Sequence, residues 1–184
     1  MLKKILLGIG VAFLLFVLFV LYTIFIAPPA SPPDTATYND LGVDISVDYS
    51  RPYKKGRLIF GDAADEALQP FGEYWRLGAN AATDISLSSN VIFGGQSVEA
   101  GTYRMYAVPG SEAFKVTLNS ELEVFFGAAE PDPTLDILSV DAPVTMQDGI
   151  TEQFTIQFRS DSASIYMEMV WDNYLFTVPI VPSN

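Results

Sequence analysis

From Val43 onward, apolar residues recur at every second position, the period a half-buried β-strand imposes because successive side chains leave opposite faces. Val43, Ile45, Val47 and Tyr49 fall on one face, and Asp44, Ser46 and Asp48 on the other. The alternation returns at Phe114/Val116/Leu118, Phe154/Ile156/Phe158, Ile165/Met167/Met169/Trp171 and Tyr174/Phe176/Val178/Ile180. Shorter apolar runs at Ile85–Leu87, Val91–Phe93 and Tyr103–Val108 read as further strands. Turn residues separate them at Gly94-Gly95, Ala100-Gly101, Pro109-Gly110, Asp148-Gly149 and Asp172-Asn173. This pattern predicts an all-β fold, an antiparallel β-sandwich of jelly-roll-like or Greek-key type with roughly eight to eleven strands. Phe154, Ile156, Phe158, Met167, Met169 and Trp171 are the expected core. One short stretch argues for helix: Asp62 can cap Ala63–Leu68, which Pro70 closes.

The first 26 residues obey a different rule. Met1-Leu2-Lys3-Lys4 precedes an apolar run from Ile5 to Ile26. At about 1.5 Å per residue a helix of that length spans a hydrocarbon core of about 30 Å. The exit, Ile26-Ala27-Pro28-Pro29, puts proline beside the candidate cleavage position, so residues 1–26 read as a retained signal anchor. Lysines before the run and none directly after it predict a cytoplasmic N-terminus and an extracytoplasmic domain, periplasmic or extracellular. Residues 27–37 form a Pro-rich spacer with four prolines, and 38–184 form the exported domain.

Composition excludes several classes of function. The part after residue 26 holds all 22 acidic residues and only 8 of the 10 Lys and Arg, a net charge of −14. Such a surface repels phosphate backbones and anionic headgroups, which argues against nucleic-acid binding and peripheral membrane docking. With no cysteine, the exported domain cannot depend on disulfides and must rely on its core. With no histidine, it has no Ser-His-Asp arrangement, histidine-held zinc or imidazole shuttle. No cofactor and no metal is expected. Glu121, Glu123, Glu130, Asp132 and Asp136 surround a Pro-containing loop but lack a calcium-loop spacing, so they read as a solvated acidic loop. Asp44, Asp48 and Glu152 are the candidate acid–base carboxylates.

Half of the cations cluster between Tyr49 and Asn80. The run Tyr49-Ser50-Arg51-Pro52-Tyr53-Lys54-Lys55-Gly56-Arg57 is followed by Trp75-Arg76-Leu77-Gly78-Ala79-Asn80-Ala81-Ala82-Thr83. Later come Ala100-Gly101-Thr102-Tyr103, Pro109-Gly110 and Trp171-Asp172. Together these resemble the signature of the domain of unknown function 2911 family over about Ser31 to Ile180. The resemblance implies an exported β-rich domain and no particular activity. The family's usual Glu after Gly-Ala-Asn is Ala81 here.

Two readings of the cationic segment follow from its chemistry. In one, Arg51, Arg57, Trp75, Arg76 and Asn80 form a ligand-binding pocket, with guanidinium forks for a carboxylate, phosphate or sugar hydroxyl and an aromatic wall. In the other, preferred here, the arginines pin loops, Arg76 pairs with a nearby carboxylate, Trp75 plugs the core, and Gly78 and Asn80 supply positive-φ turns. The whole reads as a membrane-anchored, non-catalytic binding or interaction module of the cell envelope, with a glycan, a small anionic ligand or an envelope protein as partner. The alternatives are a carboxylate-dependent enzyme acting on carbohydrate or envelope material, and a structural assembly subunit.

Overall fold

The computed structural model describes residues 2–26, 29–122, 124 and 127–183. It separates into two units, residues 1–30 and 31–184. The first is one helix, α1 (Leu2–Phe25), whose stretch Leu6–Thr23 has the length and composition to cross a membrane. Within that stretch the Thr23 hydroxyl donates to the Val20 carbonyl, so this polar group has a partner inside the helix.

The second unit is built from eleven strands: β1 (Pro33–Asp40), β2 (Val43–Ser50), β3 (Phe60–Gly61), β4 (Gln69–Pro70), β5 (Thr83–Leu87), β6 (Val91–Phe93), β7 (Gln96–Val98), β8 (Gly101–Val108), β9 (Ala113–Asn119), β10 (Asp136–Ser160) and β11 (Ile165–Pro182). Nine of them form an antiparallel sheet in the order β1-β2-β5-β8-β9-β10-β11-β6-β7, and β3 and β4 make a small parallel pair. The nine strands fold into a sandwich because β10 belongs to both layers. Its first part, Asp136–Pro143, pairs with β9. Val144–Ser160 pairs with β11 instead. The far end of β10 then returns to β2: the Tyr49 hydroxyl accepts from the Ile156 amide at 2.9 Å, and Phe154 N donates to Pro52 O at 3.0 Å.

The core lies between the layers. Val47, Ile85, Met105 and Val116 meet Phe154, Met167, Met169, Trp171 and Phe176, all buried. Trp75 stacks on Trp171 with ring centroids 5.8 Å apart, and Phe60 meets both edge-on. Phe114 stacks on Phe176 at 4.3 Å. Of the six expected core residues only Phe158 is partly exposed; it lies against Tyr38 of β1.

Three local expectations are corrected. Asp148-Gly149 and Asp172-Asn173 are not hairpin turns but irregularities inside the long strands β10 and β11. Asp172 takes φ 57 within β11 opposite Thr151, and the extra residues on both sides of this pair bulge out of β10, so neither strand ends there. The stretch after Asp62 makes only a 3-10 turn over Ala63–Asp65, closed by Glu66 in the left-handed region, and Asp62 makes no side-chain cap. Its alanines bury nothing against the core, so nothing extends the turn. Strand pairing also reaches into the stretch read as spacer, because Pro33–Thr37 already pair with Ser50–Ser46.

Candidate functional site

A single cross-strand rung organises the polar face of the larger layer. Thr35, Asp48, Asp84, Arg104, Asn119 and Asp136 stand opposite one another in turn on β1, β2, β5, β8, β9 and β10. The alternation that sends Val47, Ile85, Met105 and Leu118 into the core sends this row to the other side. The rung has a closed half and an open half.

The closed half lies under the segment joining β9 to β10. Arg104 is only 2% exposed. It pairs with Glu121 at 2.5 Å and donates to the Tyr74 hydroxyl at 2.8 Å and the Ala129 carbonyl at 2.7 Å. Beside it the Tyr106 hydroxyl donates to Asp136 at 2.9 Å, and the Asn119 amide donates to the same carboxylate at 2.8 Å. Burial, reinforced by the donation to Asp136, pushes the Tyr106 phenol up to about 12. Asp132 caps the short turn Pro133–Leu135 through Thr134, whose hydroxyl and amide hold its carboxyl below the ordinary value. Of the five acidic residues expected in this loop, Glu123 lies outside the described residues. Among the described residues no three acidic side chains come together as a metal site.

The open half is a cleft of about 580 Å³ lined by Asp34, Thr35, Asp48, Ser50, Ala81 and Asp84, among others. Asp34 is held by Arg51 at 3.1 Å, and Asp48 accepts from the Thr35 hydroxyl at 2.6 Å. Asp84 is half-buried, and among the described residues no hydrogen bond reaches its carboxylate. Desolvation first, and the facing Asp48 second, raise its pKa, against a smaller opposite pull from Arg104. The next rung along the same face carries only hydroxyls, Thr37, Ser46, Ser86 and Thr102. These line a second groove of about 520 Å³ that also includes Asp44. The Asp44 carboxylate accepts from Asn39 at 2.5 Å. Of the acid–base candidates, Asp48 thus reaches the cleft and Asp44 the second groove, whereas Glu152 accepts from the Lys55 amide at 2.7 Å.

The cationic segment sits elsewhere. Arg51 donates to the Phe154 carbonyl at 3.1 Å and the Thr155 hydroxyl at 2.8 Å in addition to its pair with Asp34. Lys54 reaches Asp172 at 2.5 Å and the Arg57 carbonyl at 2.8 Å. Arg57 turns back onto its own loop, donating to the Lys54 and Tyr53 carbonyls. Trp75 is buried, its indole NH directed at the Gly78 carbonyl at 3.3 Å. Arg76 is half-buried and donates to the Asn80 carbonyl at 3.1 Å, while the Asn80 amide donates to the Ser31 carbonyl at 3.2 Å. Gly78 (φ 155) and Asn80 (φ 61) do take positive φ, and so does Leu77 (φ 51). A Cβ on Gly78 would come within 2.7 Å of the Ser50 carbonyl, so this close approach requires glycine. Neither cleft is lined by Arg51, Arg57, Trp75, Arg76 or Asn80.

The signature motifs therefore meet in space. Arg51 and Lys54 tie the first motif to β10 and β11, Trp75 of the second stacks on Trp171, and Asp172 beside that tryptophan receives Lys54. The family model for a protein of unknown function, DUF2911, matches residues 31–180, almost the whole second unit. The chain belongs to the DUF2911 family. No curated protein and no solved structure matches it. In this DUF2911 chain, Asp84 and Arg104 lie outside the signature motifs. The available signal was an arginine inside the otherwise uncharged strand Tyr103–Val108, and an aspartate two residues after the signature's Ala82.

Proposed function

We propose that this protein is a membrane-tethered, non-catalytic binding module of the cell envelope, displayed on the extracytoplasmic side, and that its ligand enters the cleft at Asp48 and Asp84. The observation that carries this reading is the half-buried Asp84 carboxylate, which faces Asp48 and receives no hydrogen bond among the described residues. A group so placed costs stability in the empty protein and gains most from a donor brought by a ligand. Ala81, at the position of the family's usual Glu, lines the same cleft, so in relatives carrying that Glu the site would hold one more carboxylate. The chemistry selects a small ligand rich in donors, an amine or a polyol, and the adjoining hydroxyl groove extends the surface for a longer one. Of the cationic segment, Arg51 supports the site, because it holds Asp34 at the cleft wall.

The test is a thermal-shift panel of polyamines, amino sugars and neutral oligosaccharides on the full chain in detergent. A probe that stabilises the wild-type chain should fail to stabilise Asp84→Asn. Equal stabilisation of both proteins would remove Asp84 from the site. If a probe is turned over, with products that disappear in Asp48→Asn, the carboxylate-enzyme alternative replaces the binding reading.

A further inference from the structure

The second unit begins at Ser31, and the chain enters its sheet at Pro33, which pairs with Ser50. The strand register shows what else lies at that end. Arg51 N donates to Pro32 O at 2.8 Å, Tyr53 bridges to Gln153, and Lys54 N donates to Glu152 O at 2.6 Å. Following β10 outward from Thr155, which Arg51 touches, leads to Ile150. At about 3.3 Å per residue that is about 17 Å beyond the entry point. There β10 leaves its partner: Met146 faces Tyr174 and Thr151 faces Asp172, so Gln147–Ile150 stand opposite Asn173 alone. This excursion carries two large apolar side chains into solvent, Met146 at 54% and Ile150 at 61% exposure. In the neighbouring loop, which Lys54 ties to Asp172 across from Thr151, Leu58 is 45% exposed.

The length of chain before Pro33 limits what can cover this end. Between Ile26 and Pro33 there are six residues, Ala27–Pro32, which reach at most about 20 Å when fully extended. That is little more than the distance by which the excursion projects past the entry point. We propose that Met146 and Ile150 dock the domain on the outer surface of the bilayer that α1 crosses, inserting into the interface as an apolar wedge. The occupant is a lipid surface and not another protein, because a tether this short keeps membrane within reach at all times. The acidic domain and the neighbouring Asp148 and Glu152 rule out attraction by anionic headgroups, so the contact is apolar and suits zwitterionic lipid. The proposal rests on α1 being a membrane span and is independent of any ligand in the cleft.

The chain has no cysteine, so single labels can be placed without background. Ile150→Cys and Met146→Cys would each carry an environment-sensitive fluorophore in the full chain, reconstituted into phosphatidylcholine vesicles that contain lipids with nitroxide on the acyl chain. Glu99→Cys is the control, since Glu99 is exposed and precedes Gly101, which pairs with Leu87 at the opposite end of the sheet. Labels at 150 and 146 should shift to the blue and be quenched by the nitroxide lipid, and the label at 99 should do neither. In the Met146→Ser background, quenching at 150 should fall. If the protein floats with the vesicles but positions 150 and 99 report the same aqueous environment, docking is overturned and the tether stands. If the protein does not float, the span reading falls and the docking falls with it.

Discussion

The two most polar regions of the domain treat their charges in opposite ways. In the cationic segment, Arg51, Lys54 and Arg57 are each satisfied by acceptors of the protein itself. In the acidic cleft, Asp84 is held half out of water with a like charge facing it and no donor among the described residues. The first arrangement ties the layers of the sandwich together; the second leaves a carboxylate without a donor among the described residues. Specific-looking sequence thus lies where charges are paired, while the carboxylate without a donor sits on a strand with an ordinary pattern.

The comparison breaks first at Trp75. Trp75→Ala removes a buried indole that touches Phe60, Phe154 and Trp171, and should cost about 3–5 kcal/mol in chemical denaturation. A loss below about 1 kcal/mol would mean that the signature tryptophan is no core plug.

Lys54→Ala comes next, because it strands Asp172, whose side chain is 10% exposed. Breaking a buried pair from one side costs about 3–5 kcal/mol; with Lys54 itself 18% exposed, the expected value is near the lower end, about 3 kcal/mol. Arg51→Ala removes two bonds to neutral acceptors and one more exposed ion pair, for which about 1.5–3 kcal/mol is expected. If Lys54→Ala and Arg51→Ala left stability unchanged while ligand retention vanished, the segment would be the site and the cleft the bystander.

The smallest effect has the opposite sign. Asp84 has a raised pKa in the folded state, so the folded chain binds this proton more tightly than the unfolded chain does. Its ionisation therefore weakens folding as pH rises above the ordinary value of 3.8, and the penalty is in place at neutral pH. Asp84→Asn should raise the melting temperature modestly at pH 7, and the gain should vanish as pH falls below 3.8. A melting temperature that drops at pH 7 would show that Asp84 is paired and structural, and would align the two regions instead of separating them.

Period-two alternation was enough to place Val43–Ser50, Ala113–Asn119 and the strong cores of β10 and β11, because their apolar residues fall on one face; in β9 the polar Thr117 and Asn119 of the other face are buried as well. Trp75 could be assigned to the core on chemistry alone. What could not be read was continuity. Asp148-Gly149 and Asp172-Asn173 have turn composition, but the strands run through them because β10 and β11 pair on both sides of each irregularity. The rung of Asp48, Asp84 and Arg104 was hidden for a related reason. Its members come from three strands and are neighbours only once the register is set, and register depends on pairings between distant parts of the chain.

That β10 serves both layers fixes an order of events. A ribosome delivers this chain from the N-terminus, and β1, β2, β5, β8 and β9 can pair among themselves as soon as residue 119 is available. The β6–β7 pair has nothing to join it to the second layer until Ile180–Pro182 arrive, and Arg51 waits for Phe154 and Thr155. Until then the apolar side of the first layer has nothing to cover it. During synthesis the domain is thus half a sandwich, the interval in which such a chain is most open to aggregation. The arrival of β11 is what lets the second layer close over the first.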